Sequence, residues 1–458
     1  MTASAETMVE ARNGYGAAQA LGEEVLPSRG MPPWLLEWKR AALDRFGALG
    51  LPTKREEAWR FTRLGPLEEI PFLLREAESG KRLEGAATSV RTLIQDRVPV
   101  LEQEVRLVFV DGMYRPELSR VPEDERGLVA CSLPEAFRAH GEALRARLEE
   151  KAADGFRALN AALFQDGAYV VASSAFGMKA DPPVVHLVYV ATPEGRPTAY
   201  HPRHVLVAET GARLQVVETY LGTPGPGYLV NGVTQVVLED GARLDHVVFQ
   251  AQEVQGGMHL QQVNAVVGGG AHFSSHVLGL GSEVARLDLA VRLEEEGAGA
   301  DLRGVLSGNG GQHLDLHTWI THRGERTESF QDYRSVLDGR ATSVFDGTIH
   351  VTHTAQKSRA RQSNRNLLLS GEAVARAQPR LEIDADDVQC AHGATVGQLD
   401  PEALFYLRSR GIGLADARDL LVRGFLEEVL GTLPFPSVHD AVEQRLAATR
   451  LEKKGEST

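Results

Sequence analysis

Cys390 and His392 stand two residues apart in the stretch Cys390-Ala391-His392-Gly393-Ala394-Thr395, and the chain has only 2 cysteines in all. In an extended segment residues i and i+2 point to the same side, so the thiol and the imidazole share a face and form a pair of soft metal ligands. Taken alone, the pair reads first as a small buried thiol beside a chance histidine. Cys131 is the second cysteine. Two thiols are too few for a self-contained four-cysteine cluster or a disulfide framework, so iron–sulfur chemistry here has to borrow ligands, and the count fits a reducing cytosol.

The other histidine pairs carry less. His313 and His317 have the i, i+4 spacing of a zinc pair on a helix, but Leu314 and Leu316 alternate as in a strand, which separates the two rings by about 13 Å on one face. If Val344 to Val351 is extended, His350 and His353 point to opposite faces. Gly308-Asn309-Gly310-Gly311 is a flexible turn without the lysine and serine of a phosphate loop. No Gly-x-Ser-x-Gly or His-Glu-x-x-His occurs.

These residues need elements to position them. Residues 1–30 start polar, with Glu6, Glu10, Glu23 and Glu24, and read as a mobile tail without the basic start and apolar middle of a secretory signal. Pro32-Pro33 opens a helix with Leu35, Trp38, Ala42 and Phe46 on one face, closed at Leu51-Pro52. A second helix around Trp59 anchors that ring in the core. Leu133 to Lys151 forms a helix, Phe156 to Phe164 a shorter one, and Ala168 to Ala172 a strand. Residues 31–179 make a helical, mixed domain.

From about residue 180 short β-branched strands alternate with glycine turns. Gly211-Ala212-Arg213-Leu214, Gly241-Ala242-Arg243-Leu244, Gly270-Ala271-His272-Phe273 and Gly299-Ala300-Asp301-Leu302 recur at spacings of 30, 29 and 29 residues, and Gly339 and Gly371 extend the series more loosely. A period near 30 with glycine at one corner is that of a β-solenoid, whose coils bury their apolar faces only against one another. A propeller blade needs four strands in each repeat, more than these hold. The expected fold is mainly β: a right-handed parallel β-helix over residues 180–398, flanked by N-terminal and C-terminal helical segments that cap its ends.

In the C-terminal segment, 399–458, Asp400-Pro401-Glu402 opens a helix with an N-cap, a tolerated proline and an acid in the first turn. Ala417, Leu420, Leu421, Gly424, Phe425 and Val429 then fall at helical spacing, a stripe that either packs on the solenoid or receives a partner.

At 458 residues, 43% hydrophobic and 24% charged, with 46 glycines, the composition is that of a globular protein rich in turns. A net charge of −13 argues against nucleic acid as a partner, and no apolar run reaches membrane-spanning length. A polysaccharide-acting solenoid enzyme would need clustered acids or a calcium site on one coil face, and a secretion signal; the sequence offers neither.

Asn366-Leu367-Leu368-Leu369-Ser370, Pro379-Arg380-Leu381-Glu382-Ile383, the run from Leu399 to Ile412, and Gly424-Phe425-Leu426-Glu427-Glu428 resemble the SufB/SufD family of iron–sulfur cluster assembly proteins. Glu56-Glu57-Ala58-Trp59-Arg60-Phe61-Thr62 resembles that family's N-terminal signature. His392-Gly393-Ala394-Thr395 is similar to the SufD branch, since SufB has a glutamate at the place of Gly393; a SufB-type paralogue is the alternative. The resemblance implies a cytoplasmic, non-catalytic scaffold that pairs with SufB and docks the SufC ATPase. It assigns His392, with Cys390 second, to a transient cluster shared with SufB, and makes the C-terminal helices the SufC-docking region, with Phe405, Tyr406, Leu420, Leu421, Phe425 and Val429. Flavin binding, and a homodimer of the isolated chain, stay open.

Overall fold

The computed structural model describes residues 31–65, 73–74, 83–122, 127–148, 154–174, 182–193 and 197–456, so the tail expected over residues 1–30 lies outside it. From Arg203 onward, strands consecutive in the chain alternate between two sheets, and each but the last two pairs in parallel with the strand two further on. The fold is therefore the expected β-solenoid, flanked by helices at both ends of the chain.

In-register parallel pairing stacks like side chains along the interior. Leu214, Leu244, Phe273 and Ala300 occupy one column of a sheet, all buried. Phe109, Tyr189 and Tyr220 form another, with ring centroids 4.6 and 5.1 Å apart. Burial of each large apolar side chain contributes roughly 1.5–3 kcal/mol, so the stack rather than any single turn stabilises the coil.

The glycine repeat marks one corner. Gly211, Gly241 and Gly270 sit there with φ of 70°, 68° and 62°, a left-handed conformation that costs glycine nothing. The fourth member differs from expectation: Gly299 lies inside the strand Gly299–Gly308, and Gly297, at φ 73°, occupies the corner. Backbone hydrogen bonds run up the corner from Gly211 N to Asp240 O, Gly241 N to Gly269 O, Gly270 N to Glu296 O and Gly297 N to Glu325 O. Arg326 and Lys357, also left-handed, continue this column. Gly339 instead stacks on Gly310 at the opposite corner, and Gly371 lies in that same connection one coil later.

The two ends of the solenoid differ. At the start, the strands Met113–Tyr114 and Leu128–Ser132 join in antiparallel fashion and finish the sheets. At the other end, Val374–Ile383 and Gln389–Gly397 are each the last strand of a sheet, paired on one side only among the described residues.

Helix Pro33–Leu49 opens and closes as expected and buries Leu35 and Phe46. Around Trp59 only a single 3-10 turn, Glu57–Trp59, forms, because the Ala58 carbonyl and the Thr62 hydroxyl accept from Arg286 and the Trp59 ring lies 3.7 Å from the Arg286 guanidinium. The single helix expected from Leu133 breaks into Leu133–Ala139 and Gly141–Arg147. His140 leaves helical angles between them and packs its ring 5.7 Å from that of Tyr169. At the C-terminus, Asp400 accepts from Glu402 N to cap helix Pro401–Ser409, and helices Leu414–Leu430 and Pro436–Glu456 follow.

Candidate functional site

Side-chain alternation and register decide where Cys390 and His392 point. In strand Gln389–Gly397, Cys390 pairs with Ala360 and His392 with Gln362, both buried residues of the neighbouring strand's interior face. Cys390 and His392 therefore share a face, as expected, and that face is the mouth of the solenoid's interior. The two differ in environment. Cys390 is half-buried against Ala360, Ile349, Val351 and Ala385, and burial pushes its thiol pKa up despite a backbone hydrogen bond with Ala360. A thiol held protonated is the poorer ligand. His392 is exposed.

Beneath His392 the interior column descends through Gln362, Gln331, Leu302 and Ser275 to His246. Deep inside, the Glu218 carboxylate is completely buried and accepts from His246 Nε2 at 2.9 Å, Thr234 Oγ1 at 2.8 Å, Tyr220 Oη at 2.7 Å and Gln261 Nε2 at 2.6 Å. Burial alone would raise its pKa; the His246 hydrogen bond foremost, then nearby His204 and the Tyr220 hydroxyl, override it and hold the carboxyl well below the usual range. His246 Nδ1 accepts from Ser275 Oγ at 3.2 Å. Sequence pattern missed this cluster. Glu218 falls in phase with Leu214, Val216 and Tyr220, and that phase is the available signal.

His313 and His317 share a strand face as expected, with Asp315 between them, and the His317 Nε2 to Asp315 Oδ1 distance is 2.8 Å. Arg286 and Thr62 bind the other Asp315 oxygen, so this face holds down the Trp59 segment. His350 and His353 do not diverge: His353 lies beyond the strand's end, and both rings reach Asp384, one at its carboxylate (3.1 Å) and the other at its carbonyl (3.3 Å). Among the described residues, no three histidine, cysteine, aspartate or glutamate side chains converge to hold a metal ion.

The apolar stripe on helix Leu414–Leu430 divides. Phe405, Tyr406 and Leu420 are exposed, and Leu421 and Phe425 half-buried. Val429, by contrast, is fully buried with Val422, Leu426 and Leu430 against Val305, Val336 and Leu367 of the solenoid, so in this fold it has no surface to offer a partner. Arg334 ties the helix down, donating to the Phe425 carbonyl and to Glu428. Asp400, Pro401, Glu402, Ala403, Phe405 and Tyr406 line a shallow recess on the helix before it.

Comparison with known proteins gives two family matches. Residues 189–425 match the SUF system FeS cluster assembly SufBD core domain, and residues 23–180 match the SufBD protein N-terminal region. An iron–sulfur cluster assembly SufBD family protein of Synechocystis is 30% identical over 437 residues, covering 93% of each chain. The iron–sulfur cluster assembly protein SufD of Escherichia coli is 28% identical over 391 residues, 84% of this chain and 86% of the relative. SufD of Bacillus subtilis is 28% identical over 423 residues, 89% and 92%.

Proposed function

The chain belongs to the SufBD family of iron–sulfur cluster assembly proteins, and from that premise we propose that it is a non-catalytic scaffold subunit of SufD type. Its open solenoid end pairs with a SufB-type chain, and His392 contributes one ligand to a cluster built across that junction. The iron–sulfur cluster is cargo, received and passed on.

The open end carries this reading. Strands Val374–Ile383 and Gln389–Gly397 each present an unpaired edge, and Val374, Ile383 and Val396 are 39%, 42% and 50% exposed there. Unpaired backbone groups beside apolar side chains favour strand addition by another chain. A neutral imidazole suits a site whose thiolates come from elsewhere, because mixed histidine and cysteine ligation supports iron–sulfur centres. With its thiol held protonated, Cys390 ranks behind His392. Docking of the SufC ATPase falls to the C-terminal helices, through exposed Phe405, Tyr406 and Leu420.

Copurification tests the reading. The full chain, tagged and expressed with its native SUF proteins, is expected to bring down SufB and SufC, and Val396→Asp is expected to release SufB while SufC stays bound. Recovery of the chain with neither protein would overturn the scaffold assignment, and retention of SufB by Val396→Asp would move the junction away from this end.

A further inference from the structure

Gln362 lies 2% exposed beneath His392, and among the described residues neither its Oε1 nor its Nε2 has a hydrogen-bond partner. A buried primary amide with both ends unpaired loses its hydration without replacement, a state that few native side chains are left in. The surrounding residues hold it there. A Cβ on Gly347, across the interior on the facing sheet, would collide with the Gln362 amide nitrogen, so the glycine leaves room for this side chain. One rung below, Gln331 is fully buried; its Oε1 accepts from Thr318 Oγ1 at 2.8 Å, which leaves its Nε2 an orphan donor facing the same column.

We propose that Gln362 is the positioning residue for His392: its Oε1 accepts from the inner ring N–H, fixing the tautomer that leaves the outer ring nitrogen with a free lone pair. Adjacent parallel strands lie about 4.8 Å apart, within reach for two stacked side chains on one face. A carbonyl oxygen has two lone pairs, so Oε1 can accept from Gln331 Nε2 below and from His392 above. Metal-binding histidines are generally oriented in this way, by an acceptor on the nitrogen that does not bind. His246, in the same column, shows the arrangement completed in this chain, with Glu218 accepting from Nε2 and so setting which nitrogen is left as the acceptor.

The role rests on the proposed function for its purpose, but its test does not. Ring nitrogen shifts of His392 in full-length, histidine-labelled protein, assigned with His392→Ala, report the tautomer without any cluster. The native chain is expected to show one tautomer, Gln362→Glu to keep it, and Gln362→Leu to give the exchanging mixture of a free imidazole. Gln362→Leu should also melt close to the native chain, since a similar apolar shape replaces the amide and the ring nitrogen of exposed His392 turns to water instead. Cluster yield from the assembled complex should fall several-fold in Gln362→Leu and recover in Gln362→Glu. An unchanged tautomer in Gln362→Leu overturns the proposal, as does a yield lost only in step with melting temperature. If His392→Ala alone leaves the yield intact, the ligand role fails while the tautomer result still judges the hydrogen bond.

Discussion

His246 and His392 occupy one column of the same sheet, separated by Ser275, Leu302, Gln331 and Gln362, yet they sit in opposite surroundings. His246 is fully buried with both ring nitrogens bonded, part of a network in which Glu218 has four donors. His392 stands at the open mouth above an amide with no partner. Polar groups sealed into a solenoid stabilise it when they satisfy one another, so the inner network is committed to the fold. Polar groups left short at an end are free to take something from outside. The difference separates residues that hold the molecule together from residues with capacity to spare.

Substitutions at the two sites should therefore differ in kind. Glu218→Leu strands the donors of His246, Thr234, Tyr220 and Gln261, and is expected to destabilise the chain by about 3–5 kcal/mol in denaturant titration. If it melted like the native chain, the network would not be structural. Val429→Asp, which buries a carboxylate in the packed helix face, should unfold the C-terminal helices to a similar extent, seen as lost helical ellipticity.

Acid should act next most strongly, and through the interior. Burial lowers His201 from 6.5 to about 3, and His204 and His259 to about 4. The unfolded chain binds these protons from about pH 6.5 downward while the folded chain refuses them to about pH 4, so stability is intact above 6.5 and lost progressively across that window. Glu218 adds a further loss below the ordinary glutamate range, because its folded value is depressed. Melting temperature followed from pH 7 to 4 should fall; a flat profile would contradict the burial of these groups. Smallest in stability are the surface sites: Phe405→Ala with Tyr406→Ala should leave melting unchanged and weaken capture of SufC, whereas loss of stability without loss of capture would return that face to packing.

Legibility in the sequence follows the same division. The solenoid was visible because glycine takes the left-handed corner cheaply, and the repeat drifted where Arg326 and Lys357 accept that conformation instead. Alternation put His313 and His317 on one strand face, but could not show Asp315 bonded beneath the Trp59 segment, a contact between residues some 250 apart. Helical spacing grouped Leu420 with Val429, which the packed helix separates into exposed and buried faces. Strand phase gave Cys390 and His392 their common side, while the unpaired state of Gln362 depends on register across coils and on Gly347 opposite. Local pattern carries conformation; partners far along the chain decide satisfaction.

The most direct measurement is iron and sulfide content, with visible absorbance, of the complex isolated from cells carrying His392→Ala, alongside its melting temperature. An exposed end-strand side chain makes few packing contacts, so melting temperature and complex assembly are expected to match the parent, while cluster content falls several-fold because a ligand has been removed from a site with few of them. Parental cluster content in that variant would contradict the account and leave His392 an ordinary strand histidine.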